Sequence, residues 1–181
     1  LYSCNREEVV LPASRTKVTT PERLNTLRGF YLLNEGSMGR NKSTLDYFEF
    51  NSGIYFKNLY AERNPNVVKE LGDVGNDIQI YGSRLYAVIN VSHLIEVMDV
   101  RTAKHLGKIS IPNCRYVTFK DQYAYVSSYA GPVQIDPNAR LGYVAKVDTA
   151  TMKVVAECTV GYQPDELVIV GNKLYVANSG G

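Results

Sequence analysis

The sequence has no tryptophan, two histidines and three cysteines in 181 residues, and each scarcity closes off a class of chemistry. Cys4, Cys114 and Cys158 lack the close spacing of a zinc site and are too few for a disulfide framework. Cys114 and Cys158 read as ordinary small apolar residues, with a pairing between the two left open. His93 and His105 are the only imidazoles, and register places His105 in a fourth strand away from the His93 loop, which gives a Ser-His-Asp set little support; no glycine-rich phosphate loop accompanies them. No apolar run approaches the roughly 18 residues of a membrane helix. No basic run exceeds a pair, and the formal charge is only +2, which argues against a nucleic-acid partner.

What the sequence has instead is tyrosine, fourteen of them, and repetition. Asn172 to Asn178 (Asn-Lys-Leu-Tyr-Val-Ala-Asn) restates Ser83 to Asn90 and Asp121 to Ser128: a polar turn, an apolar-aromatic-apolar run, then Asn or Ser. With Tyr86, Tyr125 and Tyr175 in register, Ile78, Val117 and Leu167 each fall eight residues earlier. Downstream, Leu94–Asp99 and Leu141–Asp148 each run into a turn, Asp-Val-Arg-Thr or Asp-Thr-Ala-Thr, and then a fourth run. Val, Ile and Tyr fit a pleated surface, and Asp and Thr oxygens fold a turn back on itself, so one unit predicts four strands: 78–81, 85–90, 94–100 and 105–109. A four-stranded unit of about 40 residues, recurring, predicts an all-β propeller of antiparallel blades. The chain is expected to hold about three blades and the first half of a fourth (units about 27–74, 75–112, 113–163 and 164–181), a piece of a larger ring that closes with four to eight blades.

The first unit reads Gly29 to Asn34 as its tyrosine strand, 45–50 as its third and 54–60 as its fourth. Nothing strand-like lies around Arg23, so its innermost strand is expected from elsewhere in the ring. Two insertions interrupt the repeat. One spans 61–76, with a helical turn expected over Asn66–Leu71 after Pro65; the other is the Gly- and Pro-bearing loop 129–140. Residues 1–26 read as a polar, structureless tether. It opens on Leu1-Tyr2-Ser3-Cys4, which resembles the lipobox of bacterial lipoproteins and makes Cys4 the expected lipidation site. Arg6-Glu7-Glu8 behind it resembles the signal that sends lipoproteins of Bacteroidetes to the outer face of the outer membrane.

In a propeller the loops from second to third strand, and from fourth strand to the next blade, crowd one face around the channel. On that face the expected ligand-binding residues are Asn34, Arg40, Asn41, Asn90, His93, Arg115, Tyr129, Tyr162, Gln163 and Asn178. Amide, guanidinium and phenol groups recognise an amide-decorated or phosphate-bearing ligand without any titration step. A second reading stands beside this one. Asn34, Asn90 and Asn178 end the same strand in three units, and such residues bond the backbone at a turn. Likewise Glu35, Asp73 and Asp77 form either an acidic cluster near the channel or a set of turn formers, and His93 is a cobalt ligand, a general base or a solvated loop residue.

The Leu174–Asn178 strand, the Val147–Val155 hairpin and the Gly161-Tyr162-Gln163-Pro164 junction together resemble the Tyr-Val-Thr-Asn type of seven-bladed β-propeller. The opening run Phe30 to Gly36 resembles more narrowly the secreted propellers of gut Bacteroidetes. One branch of that group captures cobalamin at the cell surface and passes it to a TonB-dependent outer-membrane transporter. The resemblance therefore implies a non-enzymatic, lipid-anchored surface protein that needs no cofactor, captures a nutrient and meets the membrane only through its anchor. The alternatives are a protein-interaction or cell-envelope scaffold, and a propeller lyase or hydrolase.

Overall fold

The computed structural model of the chain describes residues 11–18, 27–67, 70–131 and 140–180. Its strands are β1 (Ser14–Lys17), β2 (Gly29–Asn34), β3 (Thr44–Glu49), β4 (Ile54–Lys57), β5 (Gly75–Tyr81), β6 (Arg84–Ile89) and β7 (Leu94–Asp99). They continue as β8 (His105–Ser110), β9 (Cys114–Lys120), β10 (Tyr123–Ser128), β11 (Tyr143–Asp148), β12 (Lys153–Thr159), β13 (Pro164–Val170) and β14 (Lys173–Asn178). A short helix, α1 (Leu59–Arg63), follows β4. Among the described residues no helix is long and apolar enough to cross a membrane.

The strands form three four-stranded antiparallel sheets, ordered β1-β4-β3-β2, β5-β6-β7-β8 and β9-β10-β11-β12, followed by the β13-β14 hairpin. These are propeller blades. Tyr86 lies between Gln79 and Val97, Tyr125 between Thr118 and Lys146, and Tyr175 pairs with Val168, so the three tyrosines hold equivalent places in separate sheets. β2 pairs with β3 through the whole of Gly29–Asn34 and has no partner on its other side among the described residues, as expected for a first unit without its innermost strand.

Side chains alternate across a strand, and β6 uses both faces. Leu85, Ala87 and Ile89 pack toward the first blade with Leu45, Leu59, Tyr60 and Met98, whereas Tyr86 and Val88 pack with Cys114, Val117, Val126 and Val147 of the third. A strand sandwiched between blades is therefore apolar on both faces, and its five residues from Leu85 to Ile89 are all buried. Each large aliphatic side chain sealed this way contributes about 1.5–3 kcal/mol. Toward the turn face Phe119 stacks on Tyr81 at 4.6 Å and leans on Tyr86 at 4.7 Å.

The repeated turns form as expected. Asp99 Oδ1 accepts from the Arg101 and Thr102 amides and the Thr102 hydroxyl, and Asp148 Oδ1 from the Thr151 amide and hydroxyl. Ala103 and Met152 follow in the left-handed conformation.

Three expectations are corrected. Ser14–Lys17 is not a structureless tether: it pairs with β4 along the outer edge of the first blade, Ser14 opposite Lys57. The fourth strand of that blade ends at Lys57, not Tyr60, because Asn58 adopts φ 49° and ends the extended run before α1. The helix of this insertion is Leu59–Arg63, whereas Asn66 and Val67 lie in turns, and residues 68–69 of the expected helical turn fall outside the described residues. Cys4, the lipobox and most of the 129–140 loop also lie outside them.

Candidate functional site

Each blade-to-blade crossing meets the end of a second strand, and the backbone closes the junction the same way three times. The Val91 amide donates to the Asp73 carbonyl, the Tyr129 amide to Asn113 and the Ser179 amide to Gln163. These three junctions sit on one face of the sheets and carry all ten expected site residues.

At the first junction the loop 35–43 projects Arg40 and Asn41 into solvent. It is fixed from below: the Gly39 amide donates to Asp73 Oδ2 at 2.7 Å and the Ser43 hydroxyl to the Glu35 carbonyl at 2.8 Å. Gly36 stands at φ 80°, where a Cβ would lie 2.6 Å from the Lys42 carbonyl carbon, so only glycine makes this bend. Asn34 is turned inward. Its amide donates to Thr44 and to the buried Asp46, which also accepts from the Tyr55 hydroxyl and the Asn58 amide. Burial and the Asp46 contact push the Tyr55 phenol up to about 12.

At the second junction Asn90 is 3% exposed, and its amide donates to Asn113 Oδ1 and to the Cys114 carbonyl. Asn90 and Asn113 therefore act together as a strut between the second and third blades. His93 stands above them, exposed, at φ 58°, with Nδ1 accepting the Asn113 amide at 2.9 Å. That bond assigns the ring proton of the neutral form to Nε2.

The third junction is built on Asp165. Its Oδ1 accepts from Arg115 Nε at 2.9 Å and the Tyr129 hydroxyl at 2.8 Å, and its Oδ2 from the Ser179 hydroxyl at 2.6 Å. The Arg115 guanidinium also lies 4.8 Å over the Tyr129 ring. Burial would raise the Asp165 carboxyl, but the bonds from Ser179, Tyr129 and Arg115 outweigh it and hold it below its ordinary range. Burial raises the Tyr129 phenol, and donation to a carboxylate raises it further. Gln163, at φ 50°, and half-buried Tyr162 fill the crossing, and exposed Asn178 packs its amide against Gly161.

The ten residues thus split into two layers. Asn34, Asn90, Arg115 and Tyr129 lie lower, each hydrogen-bonded within its own junction; Arg40, Asn41, His93 and Asn178 are exposed, with Tyr162 and Gln163 between. The sequence reading missed Asn113 and Asp165, which hold the second and third junctions together. Among the described residues no group of His, Cys, Asp and Glu could hold a metal, so Glu35, Asp73 and Asp77 do not form a cation cluster. Asp77 instead accepts the Ile78 and Val117 amides. His105 lies in β8, away from His93 as expected, with Nδ1 against Glu96 Oε1; that buried carboxylate also accepts the Tyr60 hydroxyl at 3.0 Å, clamping α1 to the second blade.

Blades of this form, joined by a polar rim, define a β-propeller-like protein. The chain belongs to a family described as a domain of unknown function, DUF5074, whose model matches residues 28–181. Among solved structures it is similar to the computationally designed Ika8 protein, with a TM-score of 0.58 and 10% identity over 83% of this chain. The chain spans 41% of that protein's length, and the likeness is one of fold. No curated protein matches the chain.

Proposed function

We infer that this is a non-enzymatic binding propeller whose rim face captures a small nutrient. The reading rests on one observation: exposed donors and acceptors at Arg40, Asn41 and His93 stand above a partly buried polar layer whose members are already hydrogen-bonded. Groups fixed in advance lose little freedom on binding, which favours recognition. Chemistry would ask instead for a nucleophile beside a base, yet His93 spends Nδ1 on a backbone amide.

The resemblance to secreted propellers of gut Bacteroidetes extends the proposal. In that extension the protein is lipid-anchored through Cys4 at the cell surface and delivers its ligand to a TonB-dependent outer-membrane transporter. Cobalamin, decorated with amides and carrying a phosphate, suits this rim and is the first ligand to test. Calorimetric titration of cobalamin into the intact protein should give saturable binding at or below micromolar concentration, with the ligand recovered unchanged. Absence of binding at micromolar cobalamin removes the vitamin assignment, and recovery of a modified ligand removes the non-enzymatic one.

A further inference from the structure

The opposite face, which carries the turns, holds a second cavity at the junction of the first two blades, of about 460 Å³. That is within the usual size of small-molecule sites. One wall is aromatic: the Tyr31 and Tyr47 rings lie 4.8 Å apart, and Phe56 continues the row 6.3 Å beyond Tyr47. The Tyr31 hydroxyl donates to the Val100 carbonyl at 2.7 Å and so fixes this wall to the β7–β8 turn. Burial is the main reason the Tyr31 phenol rises to about 12, with Tyr47 and Asp99 adding to it, so it is an uncharged part of the wall at neutral pH.

Three guanidinium groups from three separate places converge on this wall. Arg28 precedes β2, Arg63 ends α1 and Arg101 lies in the β7–β8 turn; all three line the cavity, with Glu49 as the acidic residue among them. Arg63 contacts Glu62 at 3.7 Å, whereas Arg28 and Arg101 have no salt bridge among the described residues. Glu62 pairs with Arg63 and Asp99 lies near Arg101, so the charges around the cavity are close to balance, and Arg28 has no ion pair among the described residues. The exposed planar forks of Arg28 and Arg101 can still donate paired N–H bonds to an oxyanion.

We propose that this cavity binds a small ligand made of an oxyanion, carboxylate or phosphate, on a flat apolar body. The anion meets Arg28 and Arg101 at the mouth, and the flat body lies along Tyr31, Tyr47 and Phe56. The site is independent of the rim, and neither reading needs the other.

The intact protein is titrated with 1-naphthyl phosphate, 1-naphthoate, neutral 1-naphthol and inorganic phosphate, following naphthyl fluorescence or heat. Both naphthyl anions should bind at least about tenfold more tightly than naphthol and than inorganic phosphate. The ratio of the two anions tells a carboxylate site from a phosphate site. Arg28→Gln and Arg101→Gln, both exposed and away from the core, should each weaken the anions about tenfold and leave naphthol unchanged. Arg115→Gln, on the rim, should change nothing here. The proposal fails if naphthol binds as well as the anions, if inorganic phosphate binds as well as naphthyl phosphate, if neither Gln variant weakens binding, or if no anion binds at millimolar concentration.

Discussion

Replacing Asp165 by alanine should loosen the junction between the third blade and the β13–β14 hairpin. The carboxylate accepts three bonds, from Arg115, Tyr129 and Ser179. Tyr129 is only 9% exposed, so its hydroxyl loses its acceptor where water reaches it poorly, at a cost of about 1–3 kcal/mol. Arg115 and Ser179 regain water and add no more than about 0.5 kcal/mol each. The sum is about 1–4 kcal/mol. With a urea dependence of about 2–3 kcal/mol per molar, the unfolding midpoint falls by roughly 1 M. Asp165→Asn keeps one acceptor oxygen and should lose about half as much. The pH dependence adds a second arm. A carboxyl held below its ordinary range stabilises the fold above about pH 4, and that contribution disappears as pH falls through its lowered folded value. Wild type should therefore lose stability on acidification more steeply than Asp165→Ala. Urea midpoints within 0.2 M of each other at neutral pH, or parallel acid profiles, would refute this account of the junction.

Other substitutions probe other levels of the fold. Gly142→Ala places a Cβ 2.1 Å from Pro164 Cδ and 2.7 Å from the Ser128 carbonyl, so it should cost about 2 kcal/mol or more by urea denaturation. Ile95→Ala, fully buried between the second and third blades, should cost about 2–5 kcal/mol in the same assay. Tyr60→Phe removes one of two donors to the buried Glu96 carboxylate; a loss of about 1–2 kcal/mol is expected, with hydrogen exchange rising first in α1. Arg40→Ala touches neither layer below it and should keep stability within about 0.5 kcal/mol while weakening rim binding.

The repeat made the blades legible because a strand between two sheets must be apolar on both sides, and Leu85–Ile89 shows this without any partner in view. It could not show β1. A strand added to an existing edge draws its bonds from the backbone of β4, so Ser-Arg-Thr-Lys needs no apolar pattern. The helix was hidden by continuity: Ile54 to Tyr60 reads as one run, and only the left-handed Asn58 breaks it. In the rim, register assigned the ten residues to loops of one face but gave no depth. Asn90 ends its strand as a buried strut bonded to Asn113 and Cys114 of the next blade, which its place in the repeat alone does not show. Asp165 carries no signal in the repeat; its role depends on Arg115 and Tyr129, which the fold brings to it from the preceding blade.

The central claim is that a guest is held by the rim where successive blades meet. Hydrogen–deuterium exchange of the intact protein with and without saturating cobalamin tests it most directly. Protection should concentrate in residues 35–43, 90–93 and 161–165 and spare the turns at 100–103 and 149–152. Protection confined to those turns, or an exchange pattern that the vitamin leaves unchanged, would contradict it.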